Sequence, residues 1–206
     1  MKRLLVAAGV AQEGSLYVLL FLLPFSNAAI EIMFGVMLIG WLIERLHPET
    51  RTKTLWCQPQ LRPLAIAISV FLAIGALSIV VSDFPHKSLQ GFFDKWLEYI
   101  LLGVIVADVS TRPGVVQRSL IIVACSSMLV VVEALSQEVW GKGVLRGHPI
   151  LTYGRMTGPY TNPIDLATYL MVVIPILFAL WMSCRGWIRG LLAGLLLLLI
   201  GCFGRT

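Results

Sequence analysis

The chain has 206 residues, of which 58% are hydrophobic and only 13% charged, with a net charge of +5. Soluble domains carry roughly 25% charge, so this composition argues against a water-solvated globule and for a protein built to sit in a bilayer. The Lys and Arg residues fall between apolar runs rather than along one basic stripe, which assigns the positive balance to membrane topology and leaves no nucleic-acid partner.

A bilayer core about 30 Å thick needs roughly 20 apolar residues per helix. Stretches of that kind occur at residues 4–23, 26–43, 64–81, 88–107, 119–135, 163–182 and 187–203. Spanning backbone must satisfy its own hydrogen bonds, and the alternating pattern of a barrel strand is missing. The expected fold is therefore all-α, a polytopic transmembrane helix bundle of about seven spans forming one domain over residues 1–206.

Lys2 and Arg3 before an apolar run resemble the start of a signal peptide, but no small-residue cleavage site follows and Gln12 and Glu13 interrupt the run. The segment reads as an uncleaved first helix. Pro24, Phe25, Ser26 and Asn27 then supply a breaker and a helix cap, which predicts a tight hairpin. Such a hairpin puts Lys2 and Arg3 on the same side as Arg45, Arg51 and Lys53, as the positive-inside rule prefers.

Continued alternation adds Arg62, Arg112, Arg118, Arg185 and Arg189 to the inner side and leaves Lys87, Lys95, Lys142, Arg146, Arg155 and Arg205 outside, ten basic residues against six. The expected placement is a bacterial inner membrane with a cytosolic N-terminus. In the fourth span Asp94, Lys95 and Glu98 lie beside Trp96 and Tyr99; charges at membrane depth are functional candidates, whereas Trp and Tyr mark a headgroup position. Glu31 and Glu133, near outer helix ends, read as interfacial.

The longest external segment, residues 136–162, carries Trp140, Gly141, Lys142, Arg146, His148, Tyr153 and Arg155 and is read as a periplasmic loop. Loops on a rigid scaffold concentrate binding residues, so function is expected there. Of the histidines, His47 reads as solvated, while His86 and His148 lie outside, where either could act as a base. No P-loop, Rossmann glycine pattern, zincin motif or nucleophile elbow is present. The cysteines, Cys57, Cys125, Cys184 and Cys202, lack metal-ligand spacing and are expected as free thiols; no metal or cofactor is expected.

Between Gly154 and Asp165, Asn162 can cap a helix, Pro163 fits its first position and Asp165 suits its positive end. A second reading gives the same helix N-terminus, with Arg155 and the loop cations Lys142 and Arg146, an anion to bind. Both readings stand on the residues. Pro175 within that helix leaves the Met171 carbonyl without its usual donor; the resulting kink could open a groove for a lipid tail or be repacked by neighbours. Trp187 and Arg189 extend the short last span by sitting at the interface.

The pattern Gly-Arg-x-x-Gly-x-x-x-Asn-Pro-x-x-x-Ala, here Gly154 to Ala167, resembles the O-antigen ligase and polymerase superfamily of bacterial membrane glycosyltransferases. Leu23-Pro24-Phe25-Ser26 resembles an early turn of that family. Ser82-Asp83-Phe84-Pro85, leading through Ser88 to Lys95-Trp96-Leu97, resembles its third-to-fourth helix connection. Phe203-Gly204-Arg205-Thr206 is similar to a Ser-Arg-(Gly/Thr) motif, with Gly204 where the family has Ser. The resemblance implies transfer of an undecaprenyl-pyrophosphate-linked glycan, at the periplasmic face and with inversion, to a lipid A core sugar, a growing polysaccharide or a protein hydroxyl. It implies that Arg205 and Arg155 bind the donor pyrophosphate, with Lys142, Arg146 and Asn162 in lesser roles, and that membrane lipids surround the site.

Family members continue with further helices and a periplasmic region holding an essential histidine and a further arginine, so the chain is expected to be a truncated N-terminal half, inactive alone. Two other readings compete. One is a transporter or transport-associated protein like relatives linked to inorganic-carbon uptake, which would place ionisable groups near the membrane midplane rather than at the outer surface. The other is a non-catalytic fragment.

Overall fold

The computed structural model describes residues 2–47, 61–150 and 154–206. Among these the chain is helical, with one isolated bridge, Lys142 to Pro149, as its only extended pairing. The elements are α1 (Lys2–Leu22), α2 (Asn27–Leu46), α3 (Arg62–Val80), α4 (Pro85–Gly91), a π-helical turn (Phe92–Leu97), α5 (Glu98–Val109), α6 (Val115–Trp140), α7 (Pro163–Ser183) and α8 (Trp187–Phe203). Helix occupies every expected apolar stretch. Four helices, those covering Arg3–Leu22, Arg62–Val80, Val115–Trp140 and Pro163–Ser183, are long and apolar enough to cross a membrane.

The chain divides into two compact units, residues 1–16 with 32–116 and residues 17–31 with 117–206. In the first, α2 lies so close to α1 that a Cβ on Gly40 would stand 2.9 Å from Gln12 Cγ and 3.2 Å from the Ala8 carbonyl oxygen. A Cβ on Gly75 of α3 would likewise meet Trp96 at 3.0 Å, and Phe71 stacks on Trp96 with ring centroids 5.0 Å apart. Trp96 belongs to the π-helical turn, whose extra residue rotates the following helix face. Lys95, Trp96 and Tyr99 are exposed. The connection into α4 follows local chemistry: the Phe84 N–H donates to Ser82 Oγ at 3.2 Å, the Ser82 and Ser88 hydroxyls pair at 2.7 Å, and Pro85 opens the helix.

In the second unit the turn expected at Pro24 forms. The Phe25 N–H donates to the Leu22 carbonyl at 2.8 Å, and Ser26 Oγ accepts from the Ala29 N–H at 3.2 Å. Val130, Val131 and Ala134 of α6, Leu166, Leu170, Val173 and Leu177 of α7, and Leu195, Leu196 and Leu199 of α8 make the core with Met156. These positions recur at three- and four-residue spacing, so each helix buries one stripe. Gly186, at φ 67°, turns α7 into α8. The α7 helix runs unbroken through Pro175.

Two expectations need correction. The α6 helix continues to Trp140, five residues beyond the expected end at 135, because polar side chains of its last turns bond the following loop. Glu133, expected at the interface, is fully buried. Glu31 is exposed, and Cys125, Cys184 and Cys202 are free. Arg51, Lys53, Cys57 and Tyr153 lie outside the described residues.

Candidate functional site

The loop that follows α6 is built on the helix's C-terminal turns. Residues 141–150 form a small hairpin closed by Gly143 N–H to the His148 carbonyl at 2.8 Å and Ile150 N–H to the Gly141 carbonyl at 3.0 Å. Three side chains of α6 hold it. The buried Glu133 carboxylate accepts from the Leu145 N–H at 2.6 Å and the Arg146 N–H at 2.9 Å, and Ser136 Oγ accepts from the Val144 N–H at 3.0 Å. A Cβ on Gly143 would overlap the Glu133 carboxylate, so the nest closes only around glycine.

Gln137, fully buried, reaches further. Its Oε1 accepts from the Thr157 and Gly158 N–H groups at 3.0 and 2.9 Å. Its Nε2 donates to the His148 carbonyl, Thr157 Oγ1 and the Gly158 carbonyl at 3.2, 3.0 and 3.1 Å. One amide thus ties the hairpin to the Gly154–Pro163 segment. Gly154 and Gly158 of the recognised pattern have φ of 70° and 57°, a region open to glycine, which is why glycine recurs there. Asn162 then caps α7, its Oδ1 accepting from the Ile164 N–H at 3.0 Å.

Two cavities adjoin this framework within the same unit. The larger, about 600 Å³, runs along α7 from Asp165 past Thr168, Tyr169, Val172 and Val173 to Ile176, and is walled by Leu20, Leu23, Ile30 and Val123. The smaller, about 330 Å³, is polar and is lined by Ser26, Arg146, His148 and Thr161. Asn27, Tyr160 and Asp165 line both. Together they make an amphiphilic groove, apolar beside the α7 turn that carries Pro175 and polar near the N-terminus of α7.

The Arg146 guanidinium donates to the Phe25 carbonyl. His148 Nε2 is enclosed without a partner. Burial pushes the Tyr160 phenol above its usual range, with Tyr169 and Asp165 adding to the effect, so it serves as a neutral donor.

Of the five residues expected at an anion site, only Arg146 lines this groove. Arg205 pairs with Glu138. The Met156 N–H donates to the Arg205 carbonyl at 3.2 Å, which brings the Arg155 and Arg205 backbones to one end of the α7–α8 pair. Asn162 is engaged as a cap, and Lys142 is exposed on the hairpin. Among the described residues no group of three or more His, Cys, Asp or Glu side chains is arranged to hold a metal.

A second polar constellation, not foreseen, lies in the first unit. Arg112 Nη1 donates to the Gly9 carbonyl at 2.8 Å, and Nη2 donates to Gln12 Oε1 at 2.9 Å and to both Glu44 oxygens at 3.0 and 3.1 Å. Glu13 lies 3.7 Å from the same guanidinium. Asp108 accepts from Arg45 and, at 3.0 Å, from Trp41 Nε1. Gln12 and Glu13, polar residues inside an otherwise apolar helix, were the signal for it.

No protein-family model, curated protein or solved structure matches the chain.

Proposed function

We propose that the chain is part of a bacterial inner-membrane glycosyltransferase of the O-antigen ligase or polymerase type, moving an undecaprenyl-pyrophosphate-linked glycan to a lipid A core sugar or a growing polysaccharide at the periplasmic face. The supporting observation is the Met156 N–H to Arg205 carbonyl hydrogen bond, which joins the two segments carrying the resemblance, Gly154–Ala167 and Phe203–Thr206. In the reaction a hydroxyl attacks the anomeric carbon while lipid pyrophosphate leaves, and guanidinium groups offset the charge that grows on the leaving oxygen. Arg205 and Arg155 take that role in this reading. The N-terminus is cytosolic and the 141–150 hairpin periplasmic.

The test is transfer rate at matched protein level in the complete enzyme. Arg205→Ala should lower turnover by an amount on the order of 3 kcal/mol in barrier, and Arg205→Lys should restore little, since an ammonium lacks the bidentate fork. Wild-type turnover in Arg205→Ala would remove the arginine from the mechanism.

The ionic cluster of Arg112, Glu44 and Gln12 favours a second reading, transport, because it sets charged groups against the middle of α1. Solute uptake that is lost in Arg112→Ala, with no glycan transfer by the wild type, would favour that reading over the first.

A further inference from the structure

The groove on α7 holds a carboxylate where an anionic lipid would need a cation. The polar residues shared by the apolar and polar chambers are Asn27, Tyr160 and Asp165. The Asp165 carboxylate has no hydrogen bond or ion pair among the described residues, and the residue is exposed where it lines the groove. Arg146, the one guanidinium in the polar chamber, is turned onto the Phe25 carbonyl. A phosphate attached directly to a lipid chain would therefore meet an unpaired negative charge there. A sugar or other hydroxyl-rich head meets complementary groups instead: hydroxyl protons for the carboxylate, and acceptor oxygens for the Asn27 amide and the protonated Tyr160 phenol.

We propose that this groove binds a lipid with an uncharged glycosyl head, its chain in the cavity along Thr168 to Ile176 and its head hydroxyls on Asp165. The donor pyrophosphate then belongs elsewhere, at the Arg155 and Arg205 end of the α7–α8 pair. That placement rests on the transferase reading; the head-group preference does not. Asp165 acts as a hydrogen-bond acceptor that positions a hydroxyl.

The test uses the full chain in lipid nanodiscs and a dodecyl glucoside carrying a photoreactive diazirine in its chain. Dodecyl glucoside, dodecyl phosphate and dodecylphosphocholine compete for labelling at equal mole fraction in the bilayer. Labelling should map to the α7 peptide around Thr168 to Ile176, with the glucoside competing about tenfold or more better than the phosphate, the difference expected when one head satisfies a carboxylate and the other opposes it. Asp165→Asn is isosteric and should shrink that preference to about threefold or less while labelling persists.

Val172→Trp, which narrows the apolar chamber, should reduce labelling of α7 at unchanged protein level. Equal or better competition by either phosphate-bearing probe in the wild type overturns the proposal, as does an unchanged preference in Asp165→Asn. Glucoside preference in this chain with no glycan transfer by the complete enzyme would sink the transferase reading and leave this one standing; transfer by the complete enzyme without the preference would do the reverse.

Discussion

Replacing Gln137 by leucine removes the amide that joins the 141–150 hairpin to the Gly154–Pro163 segment. Leucine is close in volume and a good helix former, so α6 itself should persist. The Thr157 and Gly158 N–H groups, however, lose the acceptor they share. The His148 carbonyl keeps its bond from the Gly143 N–H and is spared. A buried donor left unsatisfied costs about 1–3 kcal/mol, so two of them set about 2–6 kcal/mol against the closed loop. The segment can open to water without unfolding the helices, and the cost therefore appears as local opening rather than global melting. Hydrogen exchange of the protein in nanodiscs reads it directly. At 1.36 kcal/mol per tenfold, the lower bound corresponds to amide exchange at Thr157 and Gly158 faster by about 30-fold. Peptides from the middle of α8 should exchange as in the wild type. Unchanged protection at Thr157 and Gly158 would refute the reasoning, because it would mean that the Gln137 amide is not what holds them.

Arg112→Met should cost about 1–3 kcal/mol, less than a fully buried ion pair because the side chain is about a quarter exposed, and should lower the midpoint of thermal unfolding in detergent; an unchanged midpoint would show that the pairs to Glu44 and Glu13 are dispensable. Burial raises the Tyr160 phenol above its ordinary value of 10.0, so the folded state holds a proton that the unfolded chain releases. Its contribution is fully present below pH 10 and is lost as pH climbs toward the raised value, and Tyr160→Phe should remove that part of the alkaline loss of stability. A cysteine at Lys142 should be labelled from the periplasmic side and one at Lys53 only after the inner membrane is opened; the reverse pattern would invert the proposed orientation.

Apolar runs and local chemistry were readable from sequence because each depends on neighbours a few residues away. The Ser26 cap and the Asn162 cap with Pro163 at the first helical position are both of this kind. Glu133 was misjudged for the opposite reason. Its burial depends on N–H groups 12 and 13 residues ahead, in a loop whose path no local pattern fixes. Gln137 is similar, since 20 residues separate it from Thr157. The Arg112 cluster is more remote still, with 103 residues between its guanidinium and the Gly9 carbonyl it meets. A lone Gln-Glu pair in an apolar helix marks that something polar must arrive, but not which residue brings it.

The charge arrangement at the outer end bears on how an anion could be received there. An anion site needs cations that are held in place yet not fully consumed by the protein. Arg146 is turned toward a backbone carbonyl and lines a pocket that also contains the Asp165 carboxylate, which opposes phosphate there. Arg205 is paired with Glu138, but both side chains are substantially exposed, at 56% and 36%. An exposed pair of this sort is worth about 0–1 kcal/mol, because water screens it and two long side chains must be fixed. On the proposed transferase reading, a pyrophosphate carrying more charge and more acceptor oxygens than one carboxylate would displace Glu138 at little cost, so the pair would hold the guanidinium ready without opposing its use. Glu138→Gln removes the competitor and keeps the shape. In the complete enzyme it should therefore lower KM for the lipid-linked donor, by about fivefold if the full 1 kcal/mol is recovered, and leave kcat near wild type. A raised KM, or an equal fall in kcat and kcat/KM, would show instead that Glu138 orients Arg205 for the reaction or meets the substrate itself.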